Sequence, residues 1–164
     1  MRLFLLLATV GGSSVAQSNV VPVFAVGGVT PDLPLVLTVL VALRRGPEVG
    51  CIVGFVAGCL QDVAGGGLIG VQALTKALAG FAMGLLVGRL WVASPLVQVP
   101  GLVMLTVAEG LARFLLLQFF HFPVSLGGLL AHVVLPQALY NGFVGAACVL
   151  IAEAAEVARR RRWV

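Results

Sequence analysis

The chain has 164 residues, of which 60% are hydrophobic and only 10% are charged, and its formal net charge is +4. A soluble domain carries roughly 25% charged residues because its surface faces water, so this composition excludes a soluble globular protein and indicates a single transmembrane domain over residues 1–164. The positive charge does not indicate nucleic-acid binding, because the basic residues lie at the edges of apolar runs, where they orient membrane proteins.

The first predicted helix runs from Met1 to about Phe24. Its start is similar to a secretory signal, with Arg2 before a short apolar run and Ser14-Val15-Ala16 at the position of a cleavage site. Apolar character resumes at Val20, however, so we expect a retained first membrane helix.

Two short apolar runs follow, from Leu33 to Leu43 and from Glu48 to Leu60. Pro31-Asp32 precedes the first of them, and Arg44-Arg45 follows it. Each run is about a dozen residues, or roughly 20 Å of helix, which is shorter than the roughly 30 Å hydrocarbon core. The two runs are interpreted either as short crossings enclosed by neighbouring helices or as one re-entrant hairpin.

Three longer runs complete the chain, from Leu68 to about Leu90, from Pro95 to Phe120 and from Leu126 to Val157. Pro136 lies inside the last run and is expected to kink it. The run is followed by four consecutive arginines, Arg159–Arg162.

The distribution of arginine predicts the topology. Six crossings from a cytoplasmic N-terminus place eight of the ten basic residues on the cytoplasmic side, namely Arg2, Arg44, Arg45, Arg89 and Arg159–Arg162. Excess basic residues mark cytoplasmic loops. The sequence therefore predicts an all-α, multi-pass bundle of six transmembrane helices with both termini in the cytoplasm.

Glycine recurs every four residues in the third and fourth predicted helices. Such spacing makes a flat stripe that lets another backbone approach closely. We therefore expect these two helices to pack against each other along Gly50, Gly54, Gly58, Gly80, Gly84 and Gly88.

Three charged residues lie inside predicted membrane helices: Lys76, Glu109 and Arg113. Intramembrane charges usually face the bundle interior and pair with one another, so we expect one cluster in which Glu109 neutralises the two cations. The cluster has two interpretations, a structural ion-pair group or a site for a polar ligand, a lipid headgroup or a partner residue. Asp62, beside a run of glycines, is interpreted either as the cap of the fourth helix or as a ligand or partner contact.

No residue pattern indicates catalysis. The chain has no GxSxG or HExxH motif. Its three cysteines, Cys51, Cys59 and Cys148, lie in apolar runs without a CxxC motif or nearby histidines, so we predict no disulfide framework, metal site or cofactor.

Several short motifs occur in a characteristic order over about half of the chain. They are Pro31-Asp32, Arg44-Arg45-Gly46-Pro47, Gly50-x-x-x-Gly54-Phe55-x-x-Gly58-x-x-x-Asp62, Gly66-Gly67-x-x-Gly70-x-x-Ala73-Leu74 and Leu135-Pro136-x-x-Leu139-Tyr140-Asn141. Together they resemble the rod shape-determining protein MreD family.

The resemblance implies a non-enzymatic subunit of the elongasome in the bacterial cytoplasmic membrane. Proteins of this family pair with MreC, a single-pass membrane protein, and work beside MreB, RodA and a penicillin-binding transpeptidase in peptidoglycan synthesis and rod cell shape. The family is also similar in fold to the substrate-binding subunits of energy-coupling-factor vitamin transporters. Small-molecule binding for a transporter is therefore the alternative function.

Overall fold

The computed structural model describes residues 2–19, 21–25, 28–66, 68–90, 95–123 and 125–161. Within these ranges, side-chain packing is described for residues 8–86, apart from Pro22 and Phe24, and for 99–151. The described backbone contains helices and no β-strand, so the all-α prediction is confirmed for this part of the chain. The α-helices are α1 (Arg2–Asn19), α2 (Leu33–Arg45), α3 (Pro47–Gly65), α4 (Val71–Leu90), α5 (Pro95–Phe119), α6 (Leu126–Leu129) and α7 (Leu135–Arg161).

The third helix is longer than the sequence predicts. We expected it to end at Leu60, but α3 continues to Gly65 and has 19 residues, or about 28 Å. The prediction stopped where polar residues begin, at Gln61 and Asp62. In the structure both side chains bond to other helices, so they do not end the helix.

Three stretches of the described chain are long and apolar enough to cross a membrane: Pro47–Gly65, Val99–Phe119 and Leu126–Ile151. Val71–Leu86 is a shorter apolar helix. Large apolar side chains are exposed on the outer faces of several helices, as for Met104 at 73% and Phe143 at 79%. Such a surface is suited to lipid rather than to water.

The short helix α2 lies at the centre of the bundle. It has 13 residues and contacts α1, α3, α4, α5 and α7. Leu35 and Val39 are buried on it and pack against Met83 of α4 and Leu102 of α5. A helix of about 20 Å is tolerated in a bilayer when neighbouring protein encloses its ends.

A single residue, Gly46, connects α2 to α3. Its φ of 89° lies in the left-handed region, which glycine enters without the steric cost of a Cβ atom. The tight turn makes α2 and α3 an antiparallel hairpin.

Helices α3 and α4 form the most extensive helix pair of the described chain. A Cβ atom on Gly54 would overlap the backbone carbonyl of Lys76, and one on Gly58 would overlap the backbone of Gln72. Gly50 lies against the backbone of Gly80 in the same way. The glycine stripe thus brings the two backbones into direct contact, as small residues do between membrane helices.

The stripe of α4 continues to the α2–α3 turn. A Cβ atom on Gly84 would lie 2.5 Å from the nitrogen of Pro47 and 2.8 Å from the carbonyl carbon of Gly46. Gly88, the last glycine of the predicted stripe, falls among the residues of α4 whose packing the structure does not describe.

A π-helical segment, Leu130–Val134, joins α6 to α7 and ends two residues before Pro136. Proline has no amide hydrogen, so the regular bond to the carbonyl of His132 cannot form there. A wider turn is a common local solution. Val134, at the end of this segment, packs against Gly110 of α5, which has no side chain to block the contact.

Candidate functional site

Among the residues whose packing the structure describes, the Lys76 side chain is the most deeply buried ionisable group, at 0% exposed. It lies on α4 where the backbone packs directly against Gly54 of α3. Its Nζ atom is 2.7 Å from Oδ2 of Asp32 and 3.5 Å from Oε1 of Glu109, and it donates a hydrogen bond of 2.7 Å to Oε1 of Gln72. The cation is therefore matched by oxygen atoms from α2, α4 and α5.

Asp32 is the N-cap of α2 and holds the network together. Its Oδ1 atom accepts hydrogen bonds from the backbone N–H of Leu35 (3.0 Å) and from Nε2 of Gln61 (3.2 Å). Capping of this kind satisfies an amide that has no partner within the helix. Its other carboxylate oxygen pairs with Lys76.

The last long helix joins the network through Asn141, which is 0% exposed. Its Oδ1 atom accepts a hydrogen bond of 2.7 Å from the backbone N–H of Asp32, and its Nδ2 atom donates one of 3.2 Å to Oγ1 of Thr106 on α5. Glu109, one turn further along α5, accepts a hydrogen bond of 3.0 Å from Oγ1 of Thr75.

Helix α1 joins the same group through Gln17. Its Nε2 atom donates to the carbonyl of Pro31 and its Oε1 atom accepts from the backbone N–H of Leu33, both at 2.9 Å. Hydrogen bonds and ion pairs therefore link α1, α2, α3, α4, α5 and α7 around Asp32 and Lys76. We call this group, centred on Asp32, Lys76, Glu109, Asn141, Gln17 and Gln61, the polar network.

The structure brings together two of the three charged residues that we expected to cluster. Lys76 and Glu109 meet, but Arg113 forms no ion pair with any described residue. Arg113 follows Glu109 by four residues, so its Cα atom lies about 6 Å further along the helix axis. The closest acid to Lys76 is Asp32, which the prediction missed.

A charge count could have indicated Asp32. Lys76, Glu109 and Arg113 together carry a surplus positive charge, and a surplus charge inside a membrane protein calls for another acid. Asp32 was the nearest candidate by depth, because it starts α2 at the same end of the bundle.

Asp62 caps α4. Its Oδ2 atom accepts from the backbone N–H of Gly70 (2.7 Å) and of Ala73 (3.2 Å), and its Oδ1 atom accepts from that of Gln72 (3.1 Å). The carboxylate also lies at the positive end of the α4 dipole. Of the two interpretations of Asp62, the structure shows the geometry of a cap.

A cavity of about 170 Å³ lies beside the polar network, between the end of α3, the start of α4 and the end of α5. Its lining includes Gln61, Asp62, Gln72, Arg113, Leu117 and Phe122. Gln61 and Gln72 belong to both the cavity and the network. Pockets for small-molecule ligands usually measure about 300–1,000 Å³, so this cavity suits a smaller group.

No group of three or more His, Cys, Asp or Glu side chains that could hold a metal ion occurs among the described residues. The three cysteines are free and partly buried. The described polar groups of the interior are thus arranged to bond to one another across helices.

These features define an α-helical membrane protein whose interior is joined by buried polar bonds. The model of the family described as rod shape-determining protein MreD matches residues 1–154 of the chain. The chain belongs to the MreD family and is a cell-shape-determining membrane protein, so the resemblance found in the sequence is confirmed. No curated protein and no solved structure matches the chain.

Asp32→Asn should destabilise the bundle by about 3–5 kcal/mol, because removing one partner of a buried pair leaves the other charge uncompensated. Glu109→Gln should cost clearly less, because Lys76 keeps the closer acid. Thermal unfolding in detergent measures both losses, with Glu48→Gln on the exposed start of α3 as the matched control. Equal losses in Asp32→Asn and Glu109→Gln would contradict this ranking.

Proposed function

We propose that the chain is a non-enzymatic subunit of the bacterial cell-elongation complex in the cytoplasmic membrane. In this role it pairs with MreC and supports peptidoglycan synthesis and rod shape beside RodA, a penicillin-binding transpeptidase and MreB. The family match over residues 1–154 is the observation that carries the proposal.

The interior of the bundle supports a scaffold role. The polar atoms of Asp32, Lys76 and Asn141 are engaged in contacts between helices, so they are not free to bind a solute. Buried hydrogen-bonded networks rigidify a core; in this one, Oε1 of Gln61 is a buried atom with no partner among the described residues. A rigid body that presents fixed helix faces to partners is what a scaffold subunit requires.

The alternative, a vitamin-binding subunit of a transporter, is less well supported. The cavity of about 170 Å³ is smaller than the roughly 300–1,000 Å³ of typical small-molecule sites. Tight binding of a vitamin by the purified protein would overturn the scaffold proposal.

The proposed topology has six crossings with both termini in the cytoplasm. The charge distribution supports it, because Arg44 and Arg45 lie at the end of α2 opposite Asp32. The length of α3 supports a full crossing rather than a re-entrant hairpin, because about 28 Å approaches the thickness of the hydrocarbon core.

Cysteine labelling tests this topology. In a variant without the three native cysteines, Ser125→Cys should react with a thiol reagent that reaches the outer face of the inner membrane but cannot cross it. Arg44→Cys, which is also at an exposed position, should react only after that membrane is opened. Labelling of Arg44→Cys from outside would contradict the topology.

Two glycine-lined faces are candidates for docking a single-pass partner helix: the Ala8/Gly12 face of α1 and the Gly80/Gly84 face of α4. Gly80 and Gly84 are covered by α3 and by the α2–α3 turn, so this face is used within the bundle. Gly12 of α1 has no atom within 4 Å of a Cβ position, and Ala8 beside it is exposed. We therefore propose that the partner helix docks on the Ala8/Gly12 face of α1.

Gly12→Leu should reduce co-purification of MreC from membranes while leaving thermal stability near that of the unchanged protein, because a leucine there blocks close approach without disturbing the bundle. Gly84→Leu is the matched comparison and should destabilise the bundle itself, because its side chain has no space beside Pro47. Unchanged MreC recovery with Gly12→Leu would remove this face from the proposal.

A further inference from the structure

Arg113 is a half-buried cation that has no counter-ion among the described residues. It lies on α5 and lines the cavity beside the polar network. No carboxylate of the described chain lies within ion-pair distance of its guanidinium group. A cation near the hydrocarbon region is costly unless it is paired or reaches the interface, so a partner from outside the described residues is expected.

Asp62, which lines the same cavity as Arg113, and Glu109, which precedes it by four residues on α5, are both committed elsewhere. Both oxygens of Asp62 accept hydrogen bonds from the first amides of α4, and the positive end of that helix balances its charge. Glu109 is bound to Thr75 and lies 3.5 Å from Lys76. Neither carboxylate forms an ion pair with Arg113.

Gln72 adds a second donor to the cavity lining. Its Oε1 atom accepts from the ammonium group of Lys76 at 2.7 Å. An ammonium group can only donate, so the amide orientation is fixed and the NH₂ group is directed away from Lys76. No described residue accepts a hydrogen bond from that NH₂ group, whereas the buried unpartnered atom in the same lining is an acceptor, Oε1 of Gln61.

The shape of the cavity limits what can bind there. Its volume of about 170 Å³ is smaller than that of typical small-molecule sites, roughly 300–1,000 Å³, so it suits a small group. Leu117 and Phe122 form an apolar part of the wall, and Phe122 is 45% exposed at the end of the bundle. A small polar group attached to an apolar chain matches this lining.

We infer that the cavity binds a phosphate group through Arg113 and Gln72, and that the phosphate is the headgroup of a membrane phospholipid. The planar guanidinium group matches phosphate oxygens with paired donors, and the amide of Gln72 supplies a further one. The acyl chains then pass Leu117 and Phe122 into the bilayer. This site is separate from the face of α1 on which the partner helix docks.

The test measures the thermal unfolding midpoint of the delipidated full-length protein in detergent. Phosphatidylglycerol, diacylglycerol with the same acyl chains, and inorganic phosphate are added in separate experiments. Phosphatidylglycerol should raise the midpoint and diacylglycerol should not, because it lacks the phosphate. If inorganic phosphate gives the full rise by itself, the phosphate site stands and its source is the solution rather than the lipid.

Two variants connect the effect to the cavity. Arg113→Gln should lose the rise in midpoint, and so should Gln72→Glu, which keeps an oxygen for Lys76 but places a repelling charge beside the phosphate. Arg44→Gln, at an exposed arginine at the other end of the bundle, should keep it. An unchanged rise in Arg113→Gln, or an equal rise with diacylglycerol, would overturn the proposal. If Arg113→Gln does not fold, the test rests on Gln72→Glu, and an unchanged rise in its unfolding midpoint with phosphatidylglycerol would overturn the proposal.

Discussion

The fully buried ammonium group of Lys76 is the constraint on which the rest of the bundle depends. An unpaired charge at that depth costs on the order of 2.5–3.5 kcal/mol by insertion measurements, and more by other estimates. The chain meets this cost by placing Asp32 2.7 Å away and Glu109 3.5 Å away. Because these partners come from α2 and α5, pairing Lys76 fixes the relative depth of three helices.

The position of Lys76 also explains the glycines of α3. The ammonium group reaches Asp32 only if α4 lies close to its neighbours, and Gly54 removes the side chain that would otherwise push the Lys76 backbone away. Asp32 in turn is held by Gln61 of α3 and Asn141 of α7. Close backbone packing and buried polar bonding are therefore two parts of one arrangement, as expected where no hydrophobic force holds helices together.

Much of the fold could be predicted from periodic signals, and much of the site could not. Glycine spacing predicted which faces of α3 and α4 meet, because a four-residue spacing places the glycines on one face of each helix and can be read from that helix alone. The acid closest to Lys76 could not be found this way, because it depends on how far α4 is shifted along α2. Asp32 also had a sufficient local role as a helix cap, which concealed its second role. The length of α3 was underestimated for the same reason, since Gln61 is polar but bonds inside the bundle.

A double-mutant cycle between Asp32 and Lys76 tests the central claim most directly. Asp32→Asn, Lys76→Met and the combined variant are compared by reversible unfolding in mixed detergent micelles. The account predicts that the combined variant loses less unfolding free energy than the sum of the two single losses. The difference, which is the coupling energy, should be at least about 1 kcal/mol, within the range found for residues in contact. Losses that add within about 0.3–0.5 kcal/mol, as for independent sites, would show that this ion pair does not organise the bundle.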